Sequence, residues 1–339
     1  MTAMPGAPLD PIAPAEATGL PNQRGGTLAI SPWLTYAGSR LLQGLFVIFG
    51  AVTISFILVN MIGDPASVLA GGQLSHEQVA NLSHQLGYDR PVVDRYIAYV
   101  GGLLHGDLGV SIRYGTSALG LVLAVLPATL LIVIGAISLA CAIAIPVSVL
   151  SVLRRGSYMD SATRRTLIVF QAIPEFWFAL MLAMVFAVAL RWLPSMGFTS
   201  PTALILPIIA IALPLVSSLV RLLRATLLDV MASDFVLALR AKGISDREIV
   251  VRHGLRNVMS PFLTLLALHL GWLIGGTLII ETIFVWPGVG TLLVNAVKVR
   301  DLPVIQAVVI LIAVATVILN LVVDLLIMAI DPRIRQVRR

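Results

Sequence analysis

Three ionisable side chains lie within or directly beside apolar stretches of the chain and are its best candidates for a functional site. Glu175 follows Pro174 in the sequence Ile-Pro-Glu-Phe-Trp, His269 stands inside a long uncharged run, and Glu281 follows the end of that run. A charged side chain at the centre of a membrane helix costs about 2.5–3.5 kcal/mol on insertion scales. Each of the three therefore needs a compensating interaction or a functional role.

Two roles stay open for each of these candidate pathway or gate residues. The carboxylate of Glu175 could bind a substrate amine, or it could pair with a neighbouring helix. The imidazole of His269 could form a hydrogen bond between helices, or it could line a solute pathway. Glu281 could act as a gate or contact a partner protein, or it could accept hydrogen bonds from the amides of a turn.

Other kinds of active site are missing from the sequence. The chain has two lysines, Lys242 in Ala-Lys-Gly and Lys298 in Val-Lys-Val, whereas a phosphate-binding loop needs Gly-Lys-Ser/Thr. His76 and His84 are separated by eight residues, and no His-Glu-x-x-His occurs. We therefore predict that the chain is not an enzyme, has no metal site, and relies on another chain if ATP drives its activity.

The composition predicts the elements that must position these side chains. Charged residues make up 12% of the chain and hydrophobic residues 58%, whereas a soluble domain has about 25% charged residues. This balance argues against a soluble enzyme and a disordered protein and favours an all-α polytopic membrane protein. Six stretches are long enough to span a bilayer: Leu41–Ile62, about Leu121–Leu153, Thr166–Leu190, roughly Ala203–Leu223, Asn257–Ile280 and Leu302–Val323.

The second stretch is predicted to be one bent helix rather than two spans, because Leu130–Ala144 contains no turn signal. Six spans place both termini on the same side of the membrane. With that side cytoplasmic, 17 of the 23 basic residues lie inside, so the positive-inside rule selects this orientation. We predict a disordered cytoplasmic tail over residues 1–38, a six-helix transmembrane domain over residues 39–335, and an external loop at about residues 63–120.

The second long loop, at about residues 224–261, contains strong local signals. A short helix is predicted over Asp234–Ala241, and Gly243 then suits the position just after a helix end. Ser245 and Glu248 form a capping box that would start a second helix, and Ser260-Pro261 would open the fifth span. The pattern predicts a basic helix–glycine–helix element, with a solvated structural loop as the alternative.

This loop resembles the cytoplasmic coupling loop of ABC importer permeases, and the nearest branch is the B-type subunit of dipeptide, oligopeptide and nickel importers. The matching residues are Phe235-x5-Ala241-Lys242-Gly243, Leu255–Asn257 and Pro261. Leu237-Ala238-Leu239 stands where the general family has Glu-Ala-Ala, and Arg256 replaces a proline. Further similar motifs, in order, are Gly63-Asp64-Pro65, Leu86–Pro91, Gly106–Ser111, Glu281–Gly290, Asp301-x-Pro303 and Asp331-Pro332-Arg333.

The resemblance implies the type I ABC importer permease fold. This chain and a homologous C-type permease would form the pathway, two cytoplasmic ATPase subunits would bind ATP and Mg²⁺, and an extracytoplasmic binding protein would deliver the solute. It implies a multi-pass protein in the inner membrane of a prokaryote, surrounded by lipid, with no cofactor in this chain and no nucleic-acid partner. The residues implied in ATPase coupling are Phe235, Ala238, Arg240, Ala241, Lys242, Gly243, Ser245, Glu248 and Leu255.

Di- and oligopeptides are the solutes that this resemblance implies first. Nickel or a metal chelate, glutathione and opine-like compounds are alternatives within the same machinery. A secondary transporter that works without ATP is a further alternative, but it predicts an inverted repeat of interrupted helices, and the sequence shows none.

Overall fold

The computed structural model describes residues 32–61, 75–86 and 89–330, and this part of the chain is almost entirely helical. The helices, numbered in chain order, are α1 (Pro32–Met61), α2 (His76–Leu86), α3 (Val92–Leu104), α4 (Ala118–Leu153), α5 (Tyr158–Ala172), α6 (Glu175–Leu182), α7 (Ile205–Met231), α8 (Asp234–Ala241), α9 (Asp246–Glu248), α10 (Leu255–Ile283), α11 (Val289–Lys298) and α12 (Leu302–Ile330). A π-helical turn, Ala183–Ala189, extends α6, and another, Ile249–Gly254, joins α9 to α10.

Four helical stretches are long and apolar enough to cross a membrane without a break: Gly38–Met61, Ala118–Leu153, Pro201–Met231 and Leu302–Leu325. Two bent helix pairs raise the number to six when each pair is counted as one span. The predicted all-α polytopic fold is confirmed, and its six apolar stretches each correspond to one of these elements.

Helix α4 confirms that the second apolar stretch is one helix. It runs for 36 residues with Pro127 and Pro146 inside it, as membrane helices tolerate. Its main partner is α7, and three small side chains of α4, Ala136, Ala140 and Ala144, are fully buried in the hydrophobic core that also contains residues of α7. Small residues at a four-residue spacing let two backbones approach closely, so this helix pair forms the centre of the core.

The predicted continuous third span, Thr166–Leu190, is corrected by the structure. Helix α5 ends at Ala172, α6 begins at Glu175, and the two helices meet at an angle of 101°. Ile173 is extended (φ −85°, ψ 126°) because the ring of the following Pro174 disfavours helical geometry at the preceding residue. The break places Glu175 in the first turn of α6 rather than in the middle of a straight helix.

The start of the fifth span also differs from the prediction. Pro261 lies inside α10, and the chain is helical from Asp246 to Ile283, with the π-helical turn Ile249–Gly254 in place of a break. A proline is accommodated in a membrane helix where neighbouring groups compensate for the missing amide. This long element bends by 54° between Leu273 and Gly275.

Helices α1 and α12 pack together, so the first and last spans are neighbours. Nε of Arg40 lies 2.9 Å from Oδ2 of Asp324, and the close contact continues at Gly44, where a Cβ atom would lie 2.5 Å from Cγ1 of Val317. Asp324 thus has a structural role, because its carboxylate joins α12 to α1.

Several predicted features lie wholly or partly outside the described residues. These are residues 1–31 of the predicted tail, the Gly63-Asp64-Pro65 motif, part of the Leu86–Pro91 motif and the terminal Asp331-Pro332-Arg333. Helix α1 begins at Pro32, so its first seven residues fall within the segment 1–38 that the sequence assigns to the tail.

Candidate functional site

The bend between α5 and α6 opens a cavity of about 640 Å³ against α7 and α10. Two of the three candidate pathway residues, Glu175 and His269, line this same cavity although 94 positions separate them in the sequence. The cavity also contains the polar side chains of Gln171 and Ser218, and its apolar lining includes Phe176, Leu268 and Trp272.

The polar side chains that line the cavity differ in whether they form hydrogen bonds to other residues. Nε2 of His269 lies 2.9 Å from Oγ of Ser218, so the imidazole forms a hydrogen bond between α10 and α7. Gln171 accepts a hydrogen bond of 2.6 Å from Arg221. The half-buried carboxylate of Glu175 forms no ion pair or hydrogen bond with any residue that the structure describes. Of the two ionisable side chains that line the cavity in the described part of the chain, Glu175 is therefore the one without a hydrogen-bond partner.

Glu281, the third candidate, does not line this cavity. Its side chain is fully buried, where Oε1 accepts from Thr129 Oγ1 (2.7 Å) and Oε2 accepts from the amide of Gly290 (2.7 Å). The amide of Val289 in turn donates to Thr129 Oγ1 over 2.8 Å. Glu281 thus accepts from amides in the first turn of α11 and, through Thr129, attaches the start of this helix to α4.

The close packing around Gly290 leaves no space for a larger residue at this position. A Cβ atom on Gly290 would lie 2.7 Å from Cα of Leu278 and 2.8 Å from Oε2 of Glu281. The backbone of α10 cannot rotate away, so we expect Gly290→Ala to destabilise the folded chain by about 1–3 kcal/mol. Thermal unfolding of the detergent-solubilised protein measures this loss. Gly275→Ala, where a Cβ atom meets nothing within 4 Å, is the matched control, and an equal Tm for both variants would contradict the prediction.

The helix–glycine–helix segment has the local structure that its sequence predicts. Helix α8 spans Asp234–Ala241, and Gly243 follows it with φ +80°. The amide of Gly243 donates to Arg240 O (2.9 Å) and that of Ile244 donates to Leu239 O (3.2 Å), a Schellman motif. Because only glycine adopts this conformation without strain, Gly243 fixes the direction in which the chain leaves α8.

The residues implied in coupling lie mostly on the surface of this segment. Phe235 and Leu237 are exposed on either side of the fully buried Val236, which anchors α8 to the rest of the chain. Arg240 crosses the turn to Asp246, with Nε and Oδ1 2.8 Å apart. Among the predicted positions, those exposed are Phe235, Ala238, Arg240, Ala241, Lys242, Gly243, Ser245 and Glu248, while Leu255 is half-buried.

One of the two hydrogen bonds of the predicted capping box is present in the structure. Oγ of Ser245 accepts from the amide of Glu248 at 3.3 Å, as expected of an N-cap. The carboxylate of Glu248 lies instead 3.5 Å from Nη1 of Arg252, one helical turn onward. The ring of Phe235 meets that of His253 edge to face, with centroids 6.0 Å apart, which ties α8 to the π-helical turn.

A buried ion pair near this segment has no counterpart among the residues singled out from the sequence. Asp160 is 1% exposed, and its two oxygens accept from Nε and Nη2 of Arg224 at 2.8 and 2.9 Å. Oγ of Ser151 donates to the same carboxylate over 2.5 Å. The pair therefore joins α4, α5 and α7 just before the chain enters α8. Its one sequence signal is a lone carboxylate among Arg154, Arg155, Arg164 and Arg165.

A third buried carboxylate, that of Asp301, explains two of the motifs. Asp301 accepts from Oγ of Ser111 (2.5 Å) and from the amides of Ile112 (3.2 Å) and Arg113 (3.3 Å). Gly109, with φ +86°, approaches Pro303 so closely that a Cβ atom would lie 3.3 Å from the proline Cβ. The Gly106–Ser111 motif and the Asp301-x-Pro303 motif thus form one structural unit, the 109–113/301–303 anchor.

Comparison with known proteins places these features in a family. Residues 136–336 match the family described as "Binding-protein-dependent transport system inner membrane component", and residues 34–121 match its N-terminal companion, "Binding-prot-dependent transport system membrane comp, N-term". Together these matches cover five of the six apolar stretches in full and the second one from residue 136 onward, and they include the turn before α11 and the helix–glycine–helix segment.

Individual relatives cover nearly the whole chain. The oligopeptide transport system permease protein AppB of Bacillus subtilis (strain 168) is 35% identical over 311 residues, covering 88% of this chain and 98% of AppB. The glutathione transport system permease protein GsiC of Escherichia coli (strain K12) is 33% identical over 303 residues, covering 89% and 99%. A structure of the MetNI methionine ABC transporter in inward-facing conformations matches with a TM-score of 0.50, 20% identity and coverage of 62% and 96%, which supports the fold.

Proposed function

Because this chain belongs to the family of binding-protein-dependent inner-membrane transport components, within the peptide and glutathione branch of ABC importer permeases, we propose that it forms one half of a solute pathway. The other half is a homologous C-type permease. Two cytoplasmic ATPase subunits provide the energy, and an extracytoplasmic binding protein delivers the solute. Both termini and the helix–glycine–helix segment lie in the cytoplasm.

The observation that carries this proposal is the shape of the helix–glycine–helix segment. A rigid helix with a buried anchor at Val236 and exposed apolar residues at Phe235 and Leu237 suits attachment to another protein. The Asp160–Arg224 ion pair attaches the last third of α7 to α5, and α8 follows directly after the end of α7. A displacement of α8 by closing ATPases therefore moves α7 and, through it, one wall of the cavity, as a rigid-body switch requires.

The proposed solutes are short peptides. AppB and GsiC are named for oligopeptides and for glutathione, a tripeptide, and a cavity of about 640 Å³ is within the range of small-molecule sites. Glutathione is as consistent with these relatives as other peptides are. Nickel or metal chelates and opine-like compounds are the remaining candidates for the same machinery.

Affinity purification from the native membrane tests the proposal. We expect a tagged chain to retain a second permease and an ATPase, and proteoliposomes containing this complex to take up peptide only with ATP inside and binding protein outside. Purification of the chain without an ATPase, together with uptake that needs no ATP, would support a secondary transporter instead.

A further inference from the structure

The cavity beside Pro174 contains a carboxylate without a counter-charge in the described part of this chain. Glu175 begins α6 at the edge of the bend, and its side chain is half-buried among apolar neighbours. Removing such a group from water is unfavourable unless a cation or a hydrogen-bond donor compensates it. The polar side chains around it are hydrogen-bonded to other residues in the described part of the chain, His269 to Ser218 and Gln171 to Arg221, and neither contacts the Glu175 carboxylate.

The apolar side chains that line this cavity are accessible to a ligand. Phe176, Leu268 and Trp272 are each about half or more exposed, at 48%, 70% and 52%. A ligand that suits both features has a positive group next to an apolar side chain. A zwitterionic peptide with a free amino terminus has this arrangement, whereas a hydrated metal ion or an N-acylated peptide does not.

We propose that this cavity is a subsite for the free α-amine of a short peptide. The ammonium group donates hydrogen bonds to the Glu175 carboxylate, and the first side chain contacts Trp272 and Leu268. The inference rests on the proposed function, and it deepens that function by specifying the chemical class of solute that the permease itself distinguishes.

Direct binding to the complex without its binding protein tests the subsite. The importer complex in nanodiscs is titrated with leucyl-leucine and with N-acetyl-leucyl-leucine, using quenching of tryptophan fluorescence as the readout. Trp272→Phe identifies the part of the signal that comes from the cavity. Wild-type complex is expected to bind the free peptide about tenfold or more tightly than the acetylated one, since charge-assisted hydrogen bonds are the stronger kind.

Glu175→Gln is expected to abolish this discrimination by weakening binding of the free peptide to the level of the acetylated one. Glu77→Gln, which removes an exposed carboxylate on α2, is the matched control and should leave the ratio unchanged. Equal affinity of the wild-type complex for both peptides, or discrimination that survives Glu175→Gln, would overturn the inference. Peptide uptake by the complete importer is measured in parallel, and its absence would count against the proposed function rather than against the subsite alone.

Discussion

Replacing Gly243 with valine is expected to abolish most of the stimulation of ATP hydrolysis by solute while the chain still inserts into the membrane. The backbone at Gly243 has φ +80°, a conformation that costs other residues about 1–2 kcal/mol and β-branched residues more. A Cβ atom there meets no neighbour within 4 Å, so the effect comes from the backbone alone. Relief of this strain turns α8 away from its position, and we expect solute-stimulated ATPase activity to fall about tenfold.

Gly243→Asn is the matched variant for this experiment. Asparagine tolerates the left-handed region better than other side chains do, so coupling should be largely retained. The measurement is ATP hydrolysis by reconstituted complex with and without solute-loaded binding protein, alongside the amount of complex in the membrane. Normal stimulation in the valine variant would refute the role of this turn in coupling.

The helix–glycine–helix segment was predictable because its signals are local. Gly243 and Ser245 mark a helix end and a helix start within three residues, and α8 has the predicted bounds Asp234–Ala241. The angle between α5 and α6 was not predictable in this way. A count of apolar residues treats Thr166–Leu190 as one span and carries no information about the 101° angle at Pro174. The cavity that this angle creates could not be predicted for the same reason.

Removing the charge of Asp160 is expected to destabilise the chain strongly. Asp160→Asn leaves the guanidinium of Arg224, whose side chain is 18% exposed, beside a neutral partner. Breaking a buried ion pair by removing one partner costs about 3–5 kcal/mol because the remaining charge is uncompensated. We expect a lower Tm and a lower yield of folded protein, measured by thermal unfolding in detergent.

An exposed ion pair of the same length provides the control. Arg240 and Asp246 are also 2.8 Å apart, but their side chains are 45% and 55% exposed. Such surface pairs contribute about 0–1 kcal/mol, so Asp246→Asn should change the Tm little. Asp160→Asn combined with Arg224→Met should recover part of the loss, because no charge then stays buried. Equal small effects at both sites would contradict the argument from burial.

The Asp160–Arg224 ion pair could not be predicted from the sequence. Its partners are separated by 64 positions, and no pattern within either helix indicates that they meet. Glu281 is a comparable case, because its hydrogen-bond donors on α4 and at the start of α11 become neighbours only when the helices pack. For Glu281 the sequence names hydrogen bonds to backbone amides as one alternative but does not identify the donors.

The 109–113/301–303 anchor has a consequence for biosynthesis. Ser111 and Asp301 are separated by 190 positions, and ribosomes add about 5–20 residues per second. The loop that contains Ser111 is therefore synthesised roughly 10 to 40 s before Asp301, its buried carboxylate partner. During this interval the amides of Ile112 and Arg113 lack their native acceptor. A nascent chain that ends before Asp301 presents this loop without its acceptor, so the anchor can form only after most of the chain has been synthesised.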